Sequence, residues 1–201
     1  MALKYDIVIR QGETFQRKIR WESAPILYKA ISAISQTAPV QITAAGHGIP
    51  NGWRVAVVSV KGMTQINALG DPPKASDYHK ASVISSSIIQ LDSVNAAEYK
   101  AYTSGGYLQF NTPVNLTGFT ARMTIRDKVG GTQLMSLTTQ NGRLVISTSE
   151  HSISIVIDAT DTAAQTWSRA VYDLEVEDSA GVVTAILYGT AKITKEVTSD
   201  A

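Results

Sequence analysis

Apolar residues recur at every second position wherever this chain shows a clear pattern, and sustained runs with the 3.6-residue helical period are hard to find. Successive side chains on a strand point to opposite faces, so this rhythm buries one face, solvates the other, and predicts an all-β protein. Tyr5, Ile7 and Ile9 share a face; a turn at Gln11-Gly12-Glu13 then leads to Phe15, Arg17, Ile19 and Trp21, which alternate with polar neighbours. Over residues 119–126, Ala121, Met123 and Ile125 fall inward while Arg122 and Arg126 fall outward, as in an antiparallel sheet wetted on one side. Further strands are expected around Leu134 and Leu137, around Leu144 and Ile146 with Asn141-Gly142 as a hairpin turn, and through Ile153, Ile155 and Ile157. Segments 171–176 and 182–188 read as a hairpin about Ser179-Ala180-Gly181, and a last strand covers 189–197. A short connector helix is expected over 158–165, where Asp158 or Thr160 is placed to cap free backbone N–H groups.

The texture changes between Trp21 and Phe119. Residues 26–110 are rich in Ser, Ala and Gly and carry the loop Asp71-Pro72-Pro73-Lys74 between short apolar runs of their own. Segments 15–21 and 119–126 read as neighbours in one antiparallel sheet, joined where Glu22-Ser23 meets 112–115. A domain inserted at such a hairpin tip leaves the parent strands paired, because chain ends lie close together there. The expected organisation is therefore an Ig-like antiparallel β-sandwich made of residues 1–25 and 111–201, with 26–110 folding as an inserted small β-barrel-like domain.

Charge and composition narrow the chemistry. Basic and acidic side chains number five and three in 1–25, six and four in 26–110, and seven and ten in 111–201, scattered singly along each segment. That is no nucleic-acid footprint, which calls for cations gathered on one face. Cysteine is absent, which removes disulfides, thiolate nucleophiles and zinc–sulfur centres. No stretch approaches the roughly 20 apolar residues that span a bilayer, and the amino-terminal MALKYDIVIRQGE has no long apolar segment. A soluble product with neither nucleic acid nor membrane as partner is expected.

Two resemblances follow from these residues. The stretch 42–55, with Gly46-His47-Gly48 and Asn51-Gly52, then Gly62-Met63 and Ile66-Asn67, and finally 101–106, resembles the small β-module called FCCH, known from ubiquitin-activating enzymes and common in bacteriophage tail proteins. Trp53 stands where that pattern has an acidic residue. Segments 9–15, 114–123, 171–175 and 189–198 resemble, in order and spacing, a β-sandwich of tailed-phage tail and baseplate proteins, including the amino-terminal domain of the upper baseplate protein BppU. The resemblance implies a non-enzymatic structural protein of the virion, made in the bacterial host cytoplasm and located in the phage tail. It would be a tail, baseplate or collar adaptor whose partners are other virion proteins: tail core, fibre or spike, portal or connector, and neighbouring copies in a symmetric ring. A capsid decoration protein and a carbohydrate-binding module are the alternatives.

His47 between two glycines has the look of a base or ligand, but His79 and His151 lie far away in sequence and no cysteine supports a metal set, so a structural loop histidine is expected. Asp158, Asp161, Asp173, Glu175, Glu177 and Asp178 lack the spacing of a calcium loop and read as caps and solvated strand positions. Ser104-Gly105-Gly106 has no following lysine and reads as a turn instead of a phosphate loop. Asn115-Leu116-Thr117 matches a glycosylation acceptor but reads as a strand-entry turn. Trp21, Trp53 and Trp167, with the eight tyrosines, read as core residues more readily than as a sugar platform. No catalytic, cofactor-binding or metal residue is expected.

Overall fold

The computed structural model describes residues 2–196, and it is all-β: strand makes up 49% of the chain against one α-helix, α1 (Ala159–Ala163). Strands β1 (Leu3–Lys4), β2 (Ile7–Arg10) and β3 (Phe15–Arg20) open the chain. They are followed by β4 (Glu22–Ala30), β5 (Ala33–Ile34), β6 (Val40–Thr43), β7 (Arg54–Val58), β8 (His79–Ser85), β9 (Ile88–Leu91) and β10 (Tyr107–Pro113). The last group is β11 (Thr120–Arg126), β12 (Gln133–Thr138), β13 (Leu144–Ser147), β14 (Ser152–Ile157), β15 (Arg169–Glu177) and β16 (Val183–Thr194). The chain divides into two compact units, one of residues 1–19 with 115–201 and one of residues 20–114.

In the unit made from both ends of the chain, one sheet runs β1-β16-β15-β11-β12 with β2 also on β16, and a smaller one runs β13-β14-β3. This arrangement is consistent with a β-sandwich. Alternation sets its interior: Ala121, Met123 and Ile125 on β11 and Ala170, Tyr172, Leu174 and Val176 on β15 are buried. On the opposite face Arg122 reaches Glu175 at 2.8 Å and Glu177 at 3.5 Å, an exposed ion-pair group of the sort that adds little stability.

The amino-terminal strands lie parallel to β16, with Leu3 opposite Leu187 and Ile7 opposite Ala191. Between them the chain crosses Gly189, where a Cβ would stand 2.1 Å from the Tyr5 carbonyl oxygen; only glycine allows that approach. The Tyr5 carbonyl also accepts a hydrogen bond from the buried Tyr172 hydroxyl at 2.5 Å, and Thr190 N–H donates to the Asp6 carboxylate at 2.8 Å. This bond is the first cause holding the Asp6 carboxyl below its ordinary 3.8. Burial, above all, pushes the Tyr172 phenol up to about 12.

In the unit of residues 20–114, seven strands follow the order β4-β10-β7-β8-β9-β6-β5, every neighbouring pair antiparallel. Strand β4 pairs with β10 from Ala30 opposite Tyr107 to Glu22 opposite Pro113, with a bulge between Asn111 and Thr112. The amide of Val114 then donates to the carbonyl of Trp21 at 3.1 Å, which brings the two ends of the unit together. Its core gathers Trp53, Val55, Val57, Met63, Ile42, Ile89, Leu91, Leu108 and Phe110, with Trp53 fully buried and its indole N–H donating to the Asn111 carbonyl at 3.1 Å.

Several expectations need correction. Segments 15–21 and 119–126 are not neighbours: β3 belongs to the β13-β14-β3 sheet, while β11 lies between β15 and β12. Alternation marks both as half-buried but carries no information about partners. The turn at Asn141-Gly142 joins two sheets instead of closing a hairpin, since β12 pairs with β11 and β13 with β14. The strands expected over 182–188 and 189–197 are one continuous strand, β16 (Val183–Thr194), because Gly189 is used for close approach and not for a turn; Val197 lies outside the described residues. The joins fall at 19/20 and 114/115, in place of 25/26 and 110/111, because β4 and β10 draw their flanking residues into the middle unit. Asp158 occupies the N-cap position of α1 but makes no capping hydrogen bond with its side chain.

Two outcomes follow. Residues 20–114 expressed alone should unfold cooperatively in denaturant, and Trp53→Ala should lower that stability by about 3–5 kcal/mol through loss of a fully buried ring; a gradual, non-cooperative transition would show the unit does not stand alone. Because the folded chain holds the Tyr172 proton over a range where the unfolded chain releases it, the stability from this group is complete below pH 10 and is lost as the pH rises toward 12. Tyr172→Phe should therefore flatten the alkaline fall in Tm over that range, measured by thermal melts from pH 9 to 12.

Candidate functional site

The connection between β7 and β8 is long, and what it does to the sheet defines the site. On β10, Leu108 and Phe110 enter the core, so Tyr107, Gln109 and Asn111 belong to the other face, as do their cross-strand partners Tyr28 opposite Gln109 and Ile26 opposite Asn111. The β7–β8 connection lies against this face. Its two 3-10 turns, Thr64–Ile66 and Ala75–Asp77, are held by few but well-placed bonds. Asn67 takes the Val60 N–H at 2.8 Å and returns a bond to the Val60 carbonyl at 3.0 Å, and the Ala68 N–H reaches the Val57 carbonyl at 2.7 Å. The Asp77 carboxylate accepts the amides of Lys74 at 2.8 Å and Leu69 at 3.4 Å. Those backbone bonds, Lys74 first, hold its carboxyl below the ordinary 3.8.

Between sheet and connection lies an open cleft of about 600 Å³. Tyr28, Tyr107, Gln109, Val58 and Ser59 contribute from the strands and the end of β7, and residues 67–71 from the connection. The Tyr28 and Tyr107 rings meet edge to face, centroids 6.3 Å apart, and both are about half exposed. Gln109 is buried and donates its amide N–H to the Tyr78 hydroxyl at 3.2 Å. Ser59 holds φ at 60°, a left-handed conformation uncommon outside glycine.

A polar chain runs from the cleft along the same face. Tyr78 lies under the Arg54 guanidinium, 5.0 Å from ring centroid to Cζ. Arg54 grips Glu22 with two nitrogens, Nε at 2.8 Å and Nη2 at 2.6 Å, and Asn111 adds its amide to Glu22 at 2.8 Å. The bond to Glu22 is the leading reason the guanidinium is held above its ordinary value. Every member has a partner, so this is a fixed scaffold beside the cleft and not a set of groups awaiting a proton.

The residues singled out from sequence fall elsewhere. His47 is buried, its Nδ1 accepting the Ile49 N–H at 2.9 Å and its Nε2 at 2.9 Å from the Ser85 carbonyl, so both ring nitrogens are engaged. His79 contacts Ser93 at 3.2 Å, and His151 sits at φ 49° in the turn before β14. Asp161 pairs with Arg143 at 2.5 Å, Asp178 accepts the amides of Ala180 and Val182 in a turn, and Glu175 and Glu177 face Arg122. Among the described residues, no three His, Cys, Asp or Glu side chains gather closely enough to hold a metal ion, and no helix is long and apolar enough to cross a membrane. Ser104-Gly105-Gly106 leads into β10 with both glycines at positive φ, and Asn115 accepts the amide and hydroxyl of Thr117. Trp53 is core and Trp167 donates to Gln165, so neither contributes to the cleft.

Tyr28 and Tyr107, expected with the other aromatics to pack in the core, stand about half exposed at the cleft instead, and Gln109 carried no expectation. On β10 the apolar Leu108 and Phe110 alternate with Tyr107, Gln109 and Asn111, which marks an outer phase, but on β4 Tyr28 shares its phase with Ile26 and Ala30, so the sequence does not set it apart. Comparison with known proteins adds no relative: no family model matches the chain, and no curated protein matches it.

Asp77 anchors the cleft wall as an anion. Its contribution to stability is complete above pH 3.8 and is lost as the pH falls through its lower, folded-state value. Asp77→Asn should lower Tm at pH 7 and give a shallower acid limb than the parent; an identical acid limb in thermal melts from pH 2 to 6 would show that the carboxylate is not what holds the connection.

Proposed function

We propose that this chain is a structural virion protein of a tailed phage, an adaptor in the tail, baseplate or collar that links the tail core to fibres or spikes through protein–protein contacts. The observation that carries the reading is the organisation of the chain: one contiguous β unit, residues 20–114, lies between two stretches that together build another. The finer form of the reading is an Ig-like sandwich resembling the BppU amino-terminal domain, bearing an FCCH-like barrel-type module. Insertion of a self-contained unit into a sandwich gives a protein two separate surfaces to offer, which suits a part that joins two others.

The rest of the molecule supports a mechanical task. Of the sequence-level candidates for catalysis, His47 and Asp178 are engaged in turns and Asp161, Glu175 and Glu177 in ion pairs. Among the described residues, β4 ends its sheet with one edge unpaired by a strand, and β12 does the same in the other unit; such edges are places where a neighbouring chain can add a strand. Copies arranged in a ring would meet through unlike surfaces, each copy offering one face to a different face of the next.

Particles provide the test. Phage or induced prophage particles carrying a tagged copy of this chain should be separated into heads and tails, then examined by quantitative mass spectrometry and immunogold labelling. The expected result is several copies per particle, all on the tail. Label confined to heads would replace the adaptor reading with capsid decoration, and absence from purified particles would end both.

A further inference from the structure

We propose that the cleft between the β4-β10-β7 face and the β7–β8 connection is a binding site for an uncharged saccharide. The inference stands on the unit of residues 20–114 alone and does not depend on the virion reading.

The first ground is aromatic. In an edge-to-face pair one ring covers a face of the other, while the ring that supplies the edge keeps both of its own faces clear of its partner. Tyr28 and Tyr107 are about half exposed at the cleft and hold nothing in the core together. The C–H face of a pyranose is apolar and flat, and an uncovered ring face matches it, with the phenol hydroxyl left at the rim to bond a sugar hydroxyl.

The second ground is the polar set beside the rings. Gln109 is 3% exposed and its amide N–H donates to the Tyr78 hydroxyl at 3.2 Å, which fixes a polar side chain beside the rings. With the Ser59 hydroxyl and the Asp71 carboxylate, the cleft offers acceptors and hydroxyls in a small space. A carboxylate that accepts from two adjacent hydroxyls at once suits a sugar well. The Ser59 backbone, held in the left-handed region, is the type of local strain that collects at ligand sites.

The third ground is charge and size. Among the described residues that line the cleft, Asp71 is the one ionisable acid or base besides the two phenols and none is Lys or Arg, which disfavours phosphorylated, sulfated and sialylated ligands. Its volume of about 600 Å³ falls inside the range of about 300–1,000 Å³ typical of small-molecule sites. Leu69, almost fully exposed at the rim, supplies an apolar lip.

The test uses the full chain on a printed array of neutral hexose and N-acetylhexosamine oligosaccharides, with sialylated and sulfated glycans and a proline-rich decapeptide alongside. Isothermal titration with the strongest free neutral oligosaccharide follows. Retention of a neutral glycan is expected, weakened about tenfold or more by Tyr28→Ala and by Tyr107→Ala, and several-fold by Asp71→Asn. Tyr28→Phe, which keeps the ring, should retain most of the affinity, and thermal melts should match the parent because both rings are surface groups. Silence toward neutral glycans at millimolar concentration, preference for the anionic glycans or the decapeptide, or binding indifferent to both alanine variants would each overturn the proposal.

Discussion

The antiparallel pairing of β4 with β10 is the constraint on which the middle of this molecule depends. It joins the first and last strands of a long segment, so that the segment leaves the rest of the chain and returns to it at adjacent points, Trp21 and Val114. The same register decides the chemistry of the outer face. With Tyr28 opposite Gln109 and Ala30 opposite Tyr107, two aromatic rings and a buried amide share one surface; a slip of one residue would put Tyr28 on the opposite face from Tyr107 and Gln109. The Glu22–Arg54–Asn111 cluster and the Trp53 indole, bonded to the Asn111 carbonyl, tie that register to the neighbouring strand β7.

A comparable constraint holds the other unit together. Its amino-terminal strands add in parallel to β16, and parallel addition is possible because they arrive from far away in the chain and need no tight turn. The contact is paid for at one point, where Gly189 lets the Tyr5 carbonyl come close and Tyr172 fills the space beneath with a single hydroxyl bond. Thr162 of α1, which is buried, donates to the Glu13 carbonyl, and Gln11 donates to the carbonyls of Ala163 and Gln165. The helix thus fastens the turn that follows β2, a structural use for the acidic and threonine-rich segment around Asp158.

The charged groups are spent on similar work. Asp77 orders a loop, Asp6 fastens a strand junction, Asp92 accepts from Ser82 and Gln90, and Asp178 closes a hairpin. The hydrogen bonds that Asp6, Asp77 and Asp92 accept hold their carboxyls below the ordinary value, the opposite direction from the raised acid that general catalysis uses. The cleft differs in kind: two half-exposed aromatic rings line it beside the buried Gln109 amide. A structural protein with one such recognition surface would combine a mechanical and a selective task in one chain.

From the order of residues alone, the all-β class, the short helix near 158–165, the change of texture in the middle and the turn character of Gly46-His47-Gly48 were legible, because alternation, caps and glycine turns are local properties of the backbone. Strand partners were not. Phe15 and Ile125 obey the same period-two rule, yet they sit in different sheets, and only the three-dimensional path decides which half-buried strand meets which. The cleft was hidden for the same reason: Tyr28 and Tyr107 are far apart in sequence, and their meeting depends on β4 and β10 pairing at one register. Local sequence determined which residues seek the interior; long-range pairing, set by the packing of the whole core, decided which of those left outside would face one another.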